Sequence, residues 1–199
     1  MTPDVLVPRP ETEGLVDLAL AFLRAGAEAS PRIADVGTGS GVLAVTLACE
    51  LAAASFTATD ISPAALDVAR HNAALANVAG RIDFVLCDIL PFGLPGAPFD
   101  CIVANLPYVR TADLAPAPDP TSFEPRQALD GGPDGLVAYR RLLETAPSSL
   151  ARPGLLLMEA GPDTAEPLAN LVTLAFSAEA TVKIDRDYAG HERIVAVRR

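Results

Sequence analysis

The sequence predicts an α/β fold, in which helices cover both faces of a mostly parallel sheet of seven strands. Three observations predict it. Strand and helix patterns alternate along most of the chain, an order that places strands side by side in parallel. The first strand runs into a glycine-rich turn before its helix, as in nucleotide-binding sheets. The last two strands have no helix between them, which predicts an antiparallel edge at the C-terminal end.

The first half of the chain predicts three helices and four strands. Apolar residues recur at helical spacing in the first helix, and Ser62 caps the third helix, where Pro63 occupies the first turn. The helices cover Glu11–Ala25, Val42–Ala54 and Pro63 to about Asn77, and the strands cover Arg32–Val36, Phe56–Thr59, Ile82–Leu86 and Phe99–Ala104.

The second half opens with a long irregular stretch, Val109–Pro133, which contains five prolines. A connection of this length inside a compact domain is usually functional or disordered. The pattern then predicts helices at Asp134 to about Leu150 and Thr164–Phe176, and strands at Leu155–Met158, Thr181–Ile184 and Arg193–Val197. Because no repeat or linker interrupts the chain, we expect one domain over residues 1–199, with residues 1–30 as an N-terminal segment and helix that pack on the core.

Composition limits the environment and the partners. No apolar run approaches the roughly 18 residues that span a bilayer, and the first ten residues lack a signal-peptide pattern. Cys49, Cys87 and Cys101 lie in apolar segments, so we expect buried free thiols and a cytoplasmic protein. Two histidines without ligand spacing predict no metal site. The net charge of −10 disfavours a nucleic-acid substrate, which needs a basic surface.

Polar residues follow each of the first four strands. The loop Gly37-Thr38-Gly39-Ser40-Gly41 has G-x-G-x-G spacing rather than the G-x-G-x-x-G of a dinucleotide site, which favours a nucleoside carrying an amino-acid tail. Asp60 comes 19 residues after the last glycine and can accept both ribose hydroxyls, although a helix-cap or turn role is the alternative. Asp88, also open to a turn role, can accept an adenine amino group, with Ile89 against the purine.

The tetrapeptide Asn105-Leu106-Pro107-Tyr108 ends the fourth strand and suits the binding of a planar NH2 group. The Asn105 side chain can accept one N–H and the Leu106 carbonyl the other, while Pro107 restricts Leu106 and Tyr108 offers a ring for stacking. Because the carboxyl ends of parallel strands meet at one edge, all these residues are expected to line a single cleft.

These motifs resemble those of class I S-adenosylmethionine-dependent methyltransferases, and more narrowly those of the protein-(glutamine-N5) methyltransferases that modify peptide chain release factors. The specific matches are residues 7–13 (Val-Pro-Arg-Pro-Glu-Thr-Glu), residues 123–135 (Phe-Glu-Pro-Arg-Gln-Ala-Leu-Asp-Gly-Gly-Pro-Asp-Gly) and residues 187–193 (Asp-Tyr-Ala-Gly-His-Glu-Arg). The resemblance covers essentially the whole chain. It implies a Rossmann-like fold and transfer of a methyl group to a glutamine amide nitrogen, in the GGQ motif of a release factor.

The resemblance also implies site assignments. Gly37 to Gly41 hold the methionine end of the cofactor, Asp60 the ribose, and Asp88 with Ile89 the adenine. Asn105 lies between cofactor and substrate, and Asn105 to Tyr108 hold the glutamine amide. Residues 8–13 and 123–135 are expected to pack over the cleft.

Two departures leave alternatives open. The family usually has Asn-Pro-Pro-Tyr, whereas Leu106 makes this tetrapeptide similar to that of the rRNA adenine-N6 dimethylases, so an adenine-N6 methyltransferase acting on RNA or DNA is the rival hypothesis. The family also has a helical domain before the first motif, whereas in this sequence only seven residues precede Pro8. The sequence is then either a shortened form or one that recognises its partner differently, and a non-catalytic cofactor-binding module is a third hypothesis.

Overall fold

The computed structural model describes residues 2–114, 124–177 and 180–199. Helices and strands alternate in them as the sequence predicts. The strands are β1 (Arg32–Val36), β2 (Ser55–Asp60), β3 (Ile82–Leu86), β4 (Phe99–Ala104), β5 (Leu150–Glu159), β6 (Thr181–Arg186) and β7 (Glu192–Arg198). The helices are α1 (Glu13–Ala25), α2 (Val42–Glu50), α3 (Pro63–Leu75), α4 (Val137–Ser149) and α5 (Ala165–Phe176).

The strands form one seven-stranded sheet in the order β3-β2-β1-β4-β5-β7-β6. The pairs from β3 to β5 are parallel, and β7 runs antiparallel to both β5 and β6. The prediction of a mostly parallel sheet with an antiparallel C-terminal edge is confirmed. The strand order reverses between β1 and β4, and a ligand crevice is expected beyond the carboxyl ends of strands at such a point.

Apolar layers cover both faces of the sheet, as a largely parallel sheet requires. Side chains alternate along β4, so that Cys101 and Val103 pack in the layer of α1 and α2, whereas Ile102 and Ala104 pack in the layer of α4 and α5. All four are fully buried. The central strands are therefore held from both sides, and their carboxyl ends form a fixed edge.

The predicted elements differ from the structure mainly at their ends. Glu11 and Thr12 belong to a 3-10 turn, Pro10–Thr12, that precedes α1, a common arrangement at a helix N-terminus. Helix α2 ends at Glu50 rather than Ala54, because Leu51 leaves the helical conformation. Helix α4 begins three residues later than predicted, after a turn in which Gly132 and Gly135 have positive φ angles. Strand β5 begins at Leu150, five residues earlier than predicted.

The cysteine prediction holds in part. All three thiols are free, but only Cys101 is buried, whereas Cys87 is partly exposed and Cys49 is exposed. The prediction of buried thiols was wrong for Cys49 and Cys87, because an apolar segment around a residue does not fix the direction in which its own side chain points. Among the helices of the described residues, none has the length and apolar character needed to span a bilayer.

Helix α5 offers a matched pair of leucines for testing the core. Leu168 is fully buried against the sheet, whereas Leu174 on the same helix is 78% exposed. We expect Leu168→Ala to lower the free energy of unfolding by about 2–5 kcal/mol, because it removes apolar contacts and leaves a cavity. Leu174→Ala is expected to change it by no more than about 0.5 kcal/mol. Urea unfolding followed by circular dichroism measures both, and equal losses would contradict the assignment of the core face.

Candidate active site

A cleft of about 490 Å³ lies across the carboxyl ends of the parallel strands. Its volume is typical of small-molecule sites. Ten of the twelve predicted site residues line it, namely Gly37, Thr38, Gly39, Ser40, Asp60, Asp88, Ile89, Asn105, Leu106 and Pro107. Gly41 and Tyr108 are not part of its wall. The structure thus brings together residues that are far apart in the sequence.

The glycine loop lies directly against the tetrapeptide. Gly37 has a φ of +70°, and a Cβ atom there would lie 2.6 Å from Cδ2 of Leu106. The glycine is therefore required both by its backbone conformation and by the buried Leu106 side chain. Gly41, at the start of α2, instead packs on Ala69 of α3, where a Cβ would lie 3.0 Å from the alanine Cβ. Its place is thus between two helices rather than in the cleft wall.

Asp35, at the base of the glycine loop, is a buried carboxyl group. Its Oδ2 accepts hydrogen bonds from the Thr38 hydroxyl at 2.6 Å and the Ala44 N–H at 3.0 Å. Its Oδ1 is buried and has no hydrogen-bond partner among the described residues. Burial raises the pKa of Asp35 to about 6, against the lowering effect of those two hydrogen bonds. Asp35 is not part of the cleft wall, and its two hydrogen bonds hold the glycine loop to the start of α2.

Asp60 supports the backbone on both of its sides. Its Oδ2 accepts from the Gly39 N–H at 2.9 Å, and its Oδ1 accepts from the Ser62 N–H at 2.8 Å. The carboxylate therefore shapes the glycine loop and the start of α3. Each carboxylate oxygen has a further lone pair, so Asp60 retains capacity for ligand hydroxyls. Its binding of a ribose remains a prediction.

The far end of the cleft is formed by Asp88 and Ile89. Asp88 pairs with the guanidinium of Arg141 from α4. Ile89 has a φ of +58°, a left-handed conformation that is rare for a β-branched residue. The Thr59 hydroxyl donates to its carbonyl at 2.8 Å and holds that conformation. Arg141 was not predicted, and it places a positive charge beside the proposed adenine acceptor.

Asn105 has a fixed orientation. Its Nδ2 donates to Oγ1 of Thr12 at 3.1 Å and to Oε2 of Glu159 at 3.0 Å. The described residues provide no hydrogen-bond donor to its Oδ1, which leaves this oxygen available as an acceptor. The Leu106 carbonyl lies 3.2 Å from the Tyr139 hydroxyl, and that hydroxyl also donates to the backbone carbonyl of Glu159. One hydroxyl proton cannot satisfy both carbonyls at once.

Tyr108 points toward Glu159 rather than along the cleft wall. Its hydroxyl donates to Oε1 of Glu159 at 3.2 Å, and its ring lies 3.3 Å from the position that a Cβ on Gly161 would occupy. Burial, followed by the charge of Glu159, raises the pKa of Tyr108 to about 12. Tyr108 is therefore a neutral donor at physiological pH. Stacking of its ring on a substrate remains a prediction.

Glu159 is the main residue that the sequence reasoning missed. It is 1% exposed and accepts hydrogen bonds from three side chains, the third being the Thr12 hydroxyl at 2.7 Å. A signal was present, since Glu159 ends strand β5 as Asp60 ends β2. The same rule, an acidic residue at the carboxyl end of a parallel strand, would have identified it.

The two family-specific segments meet over the cleft through Glu124. Its carboxylate accepts from the Val7 N–H at 3.0 Å and from the Arg9 guanidinium at 2.7 Å, and its side chain is only 5% exposed. Pro8, Thr12, Pro125 and Gln127 line the cleft. The packing of these segments over the cleft is as expected for the described part. Phe123 and the prolines at 116, 118 and 120 lie outside the described residues.

The second of these segments also packs on the tetrapeptide backbone. The Val109 N–H donates to the Leu129 carbonyl at 3.1 Å, and the Gly131 N–H donates to the Val109 carbonyl at 2.8 Å. A Cβ on Gly131 would lie 2.6 Å from the Pro107 carbonyl oxygen, and one on Gly135 would overlap the Tyr108 carbonyl. The glycines of this motif are needed for this close backbone approach.

The C-terminal motif supports the same region from β7. Asp187 accepts from the backbone N–H groups of Ala189 and His191 and from Nε of Arg193. Arg193 in turn donates to the Ala160 carbonyl at 3.2 Å, next to Glu159. The motif therefore ties the turn between β6 and β7 to the end of β5.

Comparisons with known proteins agree with this geometry. Residues 14–115 match the family model described as ribosomal protein L11 methyltransferase (PrmA). The chain is 45% identical over 193 residues to a release factor glutamine methyltransferase of Moorella thermoacetica, and 43% identical over 199 residues to one of Cereibacter sphaeroides. These alignments cover 97% and 100% of this chain but 67% and 68% of the relatives. The chain thus spans about two thirds of the length of these relatives.

Solved structures show the same fold. A release-factor-specific protein-(glutamine-N5) methyltransferase of Alicyclobacillus acidocaldarius superposes with a TM-score of 0.59 at 30% identity, covering 97% of this chain and 94% of that one. A ribosomal protein L11 methylase of Lactobacillus delbrueckii gives a TM-score of 0.66 at 23% identity, covering 95% and 79%. The second likeness concerns the fold alone.

Asp35 generates a prediction about pH. Because its pKa is about 6 when folded and 3.8 ordinarily, the folded chain binds this proton more tightly than the unfolded chain. The contribution of Asp35 to the free energy of unfolding therefore falls as the pH rises from about 4 to 6. An asparagine amide in its place can accept both hydrogen bonds on one oxygen and does not titrate. Relative to the unchanged chain, the free energy of unfolding of Asp35→Asn should therefore rise by roughly 3 kcal/mol as the pH rises across that range.

Urea unfolding at a series of pH values measures this difference. The control is Asp67→Asn on α3, which removes the same charge from a side chain that is 79% exposed and pairs with the surface residue Arg70. The stability of Asp35→Asn is compared with that of this variant at each pH. Parallel stability curves for Asp35→Asn and the unchanged chain would contradict the assignment of a raised pKa to Asp35.

Proposed function

Because the chain belongs to the family of release factor glutamine methyltransferases, we propose that it transfers a methyl group from S-adenosylmethionine to the side-chain amide nitrogen of a glutamine in a peptide chain release factor. The observation that carries the proposal is the orientation of Asn105, whose NH2 group is occupied by Thr12 and Glu159. Its amide oxygen is left to accept an N–H in the cleft. A substrate NH2 group is the matching donor.

The comparisons give two family names, and the relatives that align over nearly the whole of this chain favour one of them. The match to the ribosomal protein L11 methyltransferase model ends at residue 115 and so stops before the segment that contains Glu124 and Gly131. The release factor methyltransferases align over 97–100% of the chain, including that segment. We therefore assign the substrate glutamine to a release factor, in its GGQ motif.

The glycine-loop side of the cleft is assigned to the cofactor. Gly37 to Ser40 hold the methionine end, Asp60 binds the ribose, and Asp88 with Ile89 binds the adenine. When bound, S-adenosylmethionine supplies a methyl group activated by a sulfonium, which the amide nitrogen takes up as the carbon–sulfur bond breaks and a proton leaves the nitrogen.

The tetrapeptide side is assigned to the substrate amide. An amide nitrogen is a weak nucleophile because its lone pair is delocalised, so the main task of the chain is alignment, with reacting atoms about 3–3.5 Å apart. Asn105 Oδ1 accepts one amide N–H and the Leu106 carbonyl accepts the other. The Tyr139 hydroxyl can leave the Leu106 carbonyl free by donating its single proton to the backbone carbonyl of Glu159 instead.

A protein substrate is favoured over a nucleic acid. The net charge of −10 opposes the phosphate backbone, which requires a basic surface. The cytoplasm, where release factors act, is the proposed location. An adenine-N6 methyltransferase uses a similar tetrapeptide on a flat amine, so it is a defined alternative outcome of the experiment below.

The proposal is tested by offering the substrates side by side. The chain is incubated with S-adenosylmethionine and, separately, with an intact release factor, a GGQ peptide from it and a structured RNA. We expect a mass gain of one methyl on the release factor, located at the GGQ glutamine by fragmentation. Transfer to RNA adenine without transfer to the release factor would overturn the proposal. Cofactor binding without any transfer would support the non-catalytic alternative.

Asn105 should be essential for turnover. Asn105→Ala removes the proposed acceptor of the substrate amide, and we expect kcat to fall by at least about 100-fold, as for loss of an oriented polar contact at a reacting group. Cofactor binding, measured by calorimetry, should persist in part. Asn170→Ala, at an exposed position on α5, is the matched control and should leave kcat unchanged. Normal turnover in Asn105→Ala would remove the tetrapeptide from the proposed mechanism.

A further inference from the structure

Three segments that are distant from it in the sequence, namely the turn before α1, the tetrapeptide and α4, make four contacts with Glu159 at the end of β5. Its Oε2 accepts from the Thr12 hydroxyl at 2.7 Å and from Nδ2 of Asn105 at 3.0 Å, and its Oε1 accepts from the Tyr108 hydroxyl at 3.2 Å. The fourth contact is on its backbone, where Tyr139 donates to the carbonyl. The Glu159 carboxyl is outside the cleft wall, so its contacts act through the residues that form the site.

Hydrogen-bond polarity fixes which way the Asn105 amide points. A hydroxyl has one proton, and the Thr12 hydroxyl gives it to Glu159, so toward Asn105 it can only accept. The carboxylate of Glu159 can also only accept when ionised. Both neighbours therefore require the NH2 group of Asn105. A flipped amide would place Oδ1 about 3 Å from a carboxylate oxygen, where lone pairs and charge repel.

We propose that Glu159 is the positioning residue of the reaction, which holds the Asn105 side chain so that its Oδ1 faces the substrate amide. This inference rests on the proposed function, since it assigns the task of Oδ1 to the glutamine NH2. Glu159 acts through Asn105 directly, through Thr12 as a relay, and through Tyr108 next to the same turn. It holds the tetrapeptide in its binding orientation before the substrate arrives.

The surroundings of Glu159 explain how an acidic group is kept there. Burial, the largest effect, raises the pKa of Glu159 above its ordinary value, although the hydrogen bonds of Thr12 and Tyr108 and the charge of Arg193 on β7 oppose this rise, to which the charge of Glu11 adds. Its backbone is fixed by pairing with Ile194 of β7 and by Tyr139 of α4. The side chain thus has a defined position from which its oxygens reach all three donors.

Two conservative variants separate position from charge. Glu159→Gln keeps the reach and one acceptor oxygen, which can take the place of Oε2, while its NH2 group faces the Tyr108 hydroxyl, which can turn to accept. Glu159→Asp keeps the charge but withdraws both oxygens by about 1.5 Å, the length of one carbon–carbon bond.

We expect Glu159→Gln to retain kcat within about tenfold of the unchanged chain, as for one altered hydrogen bond. We expect Glu159→Asp to lose about 100-fold, the effect of a misplacement near 1 Å.

Cofactor affinity and the Asn105 amide provide readouts that do not depend on turnover. The Kd for S-adenosylmethionine, measured by calorimetry, should remain within about threefold in both variants, since Glu159 does not line the cleft. The side-chain NH2 signals of Asn105 in NMR spectra, assigned by their loss in Asn105→Asp, should move less from the unchanged chain's position in Glu159→Gln than in Glu159→Asp.

The outcomes separate this inference from the proposed function. An unchanged chain that methylates no release factor overturns the proposed function, and the amide signals then still test the orientation of Asn105. An active unchanged chain with Glu159→Asp equal to or better than Glu159→Gln overturns the inference. Two variants as active as the unchanged chain also overturn it. Failure of both variants to fold overturns it too, because Glu159 would then serve the fold instead of Asn105.

Discussion

The candidate active site depends on a buried carboxylate surrounded by hydrogen-bond donors. An ionised carboxylate is costly to bury unless donors replace the water that it loses. Glu159 receives such donors from Thr12, Asn105 and Tyr108, each from a segment far from β5 in the sequence. Because the charge needs its donors, it draws these segments to one point. The orientation of the tetrapeptide is then a consequence of how one buried charge is satisfied.

Asp35, which like Glu159 is not part of the cleft wall, gives the opposite case. Its Oδ1 is buried without a partner among the described residues, whereas both oxygens of Glu159 are occupied. A buried carboxylate oxygen without a donor is costly, and burial accordingly raises the pKa of Asp35 to about 6. A carboxylate with donors on both oxygens is instead suited to holding its neighbours in place. The two buried acidic groups near the cleft thus differ in the way that they are satisfied.

The fold and the cleft wall were largely predictable, because both follow from local patterns. The bounds of β1, β3 and β4 were predicted without error, and ten of twelve predicted residues line the cleft. Local patterns could not show that Tyr108 turns to Glu159 or that Gly41 packs on Ala69, since both depend on partners from other segments. The contact of Asp60 with the Ser62 N–H agrees with the turn role given as its alternative, whereas its bond to the Gly39 N–H, from another segment, was not foreseen.

The position of β7 has a consequence for how the chain reaches its final form. Of the described strands, β7 comes last in the sequence, yet it lies between β5 and β6 and pairs with both. During synthesis on the ribosome, the apolar strand β5 therefore has an open edge until β7 has emerged, and open edges favour pairing with other chains. Glu159 pairs with Ile194 of β7, so the final register of its backbone also waits for that strand. Assembly of the site thus waits for a strand that follows every other described strand of the sheet in the sequence.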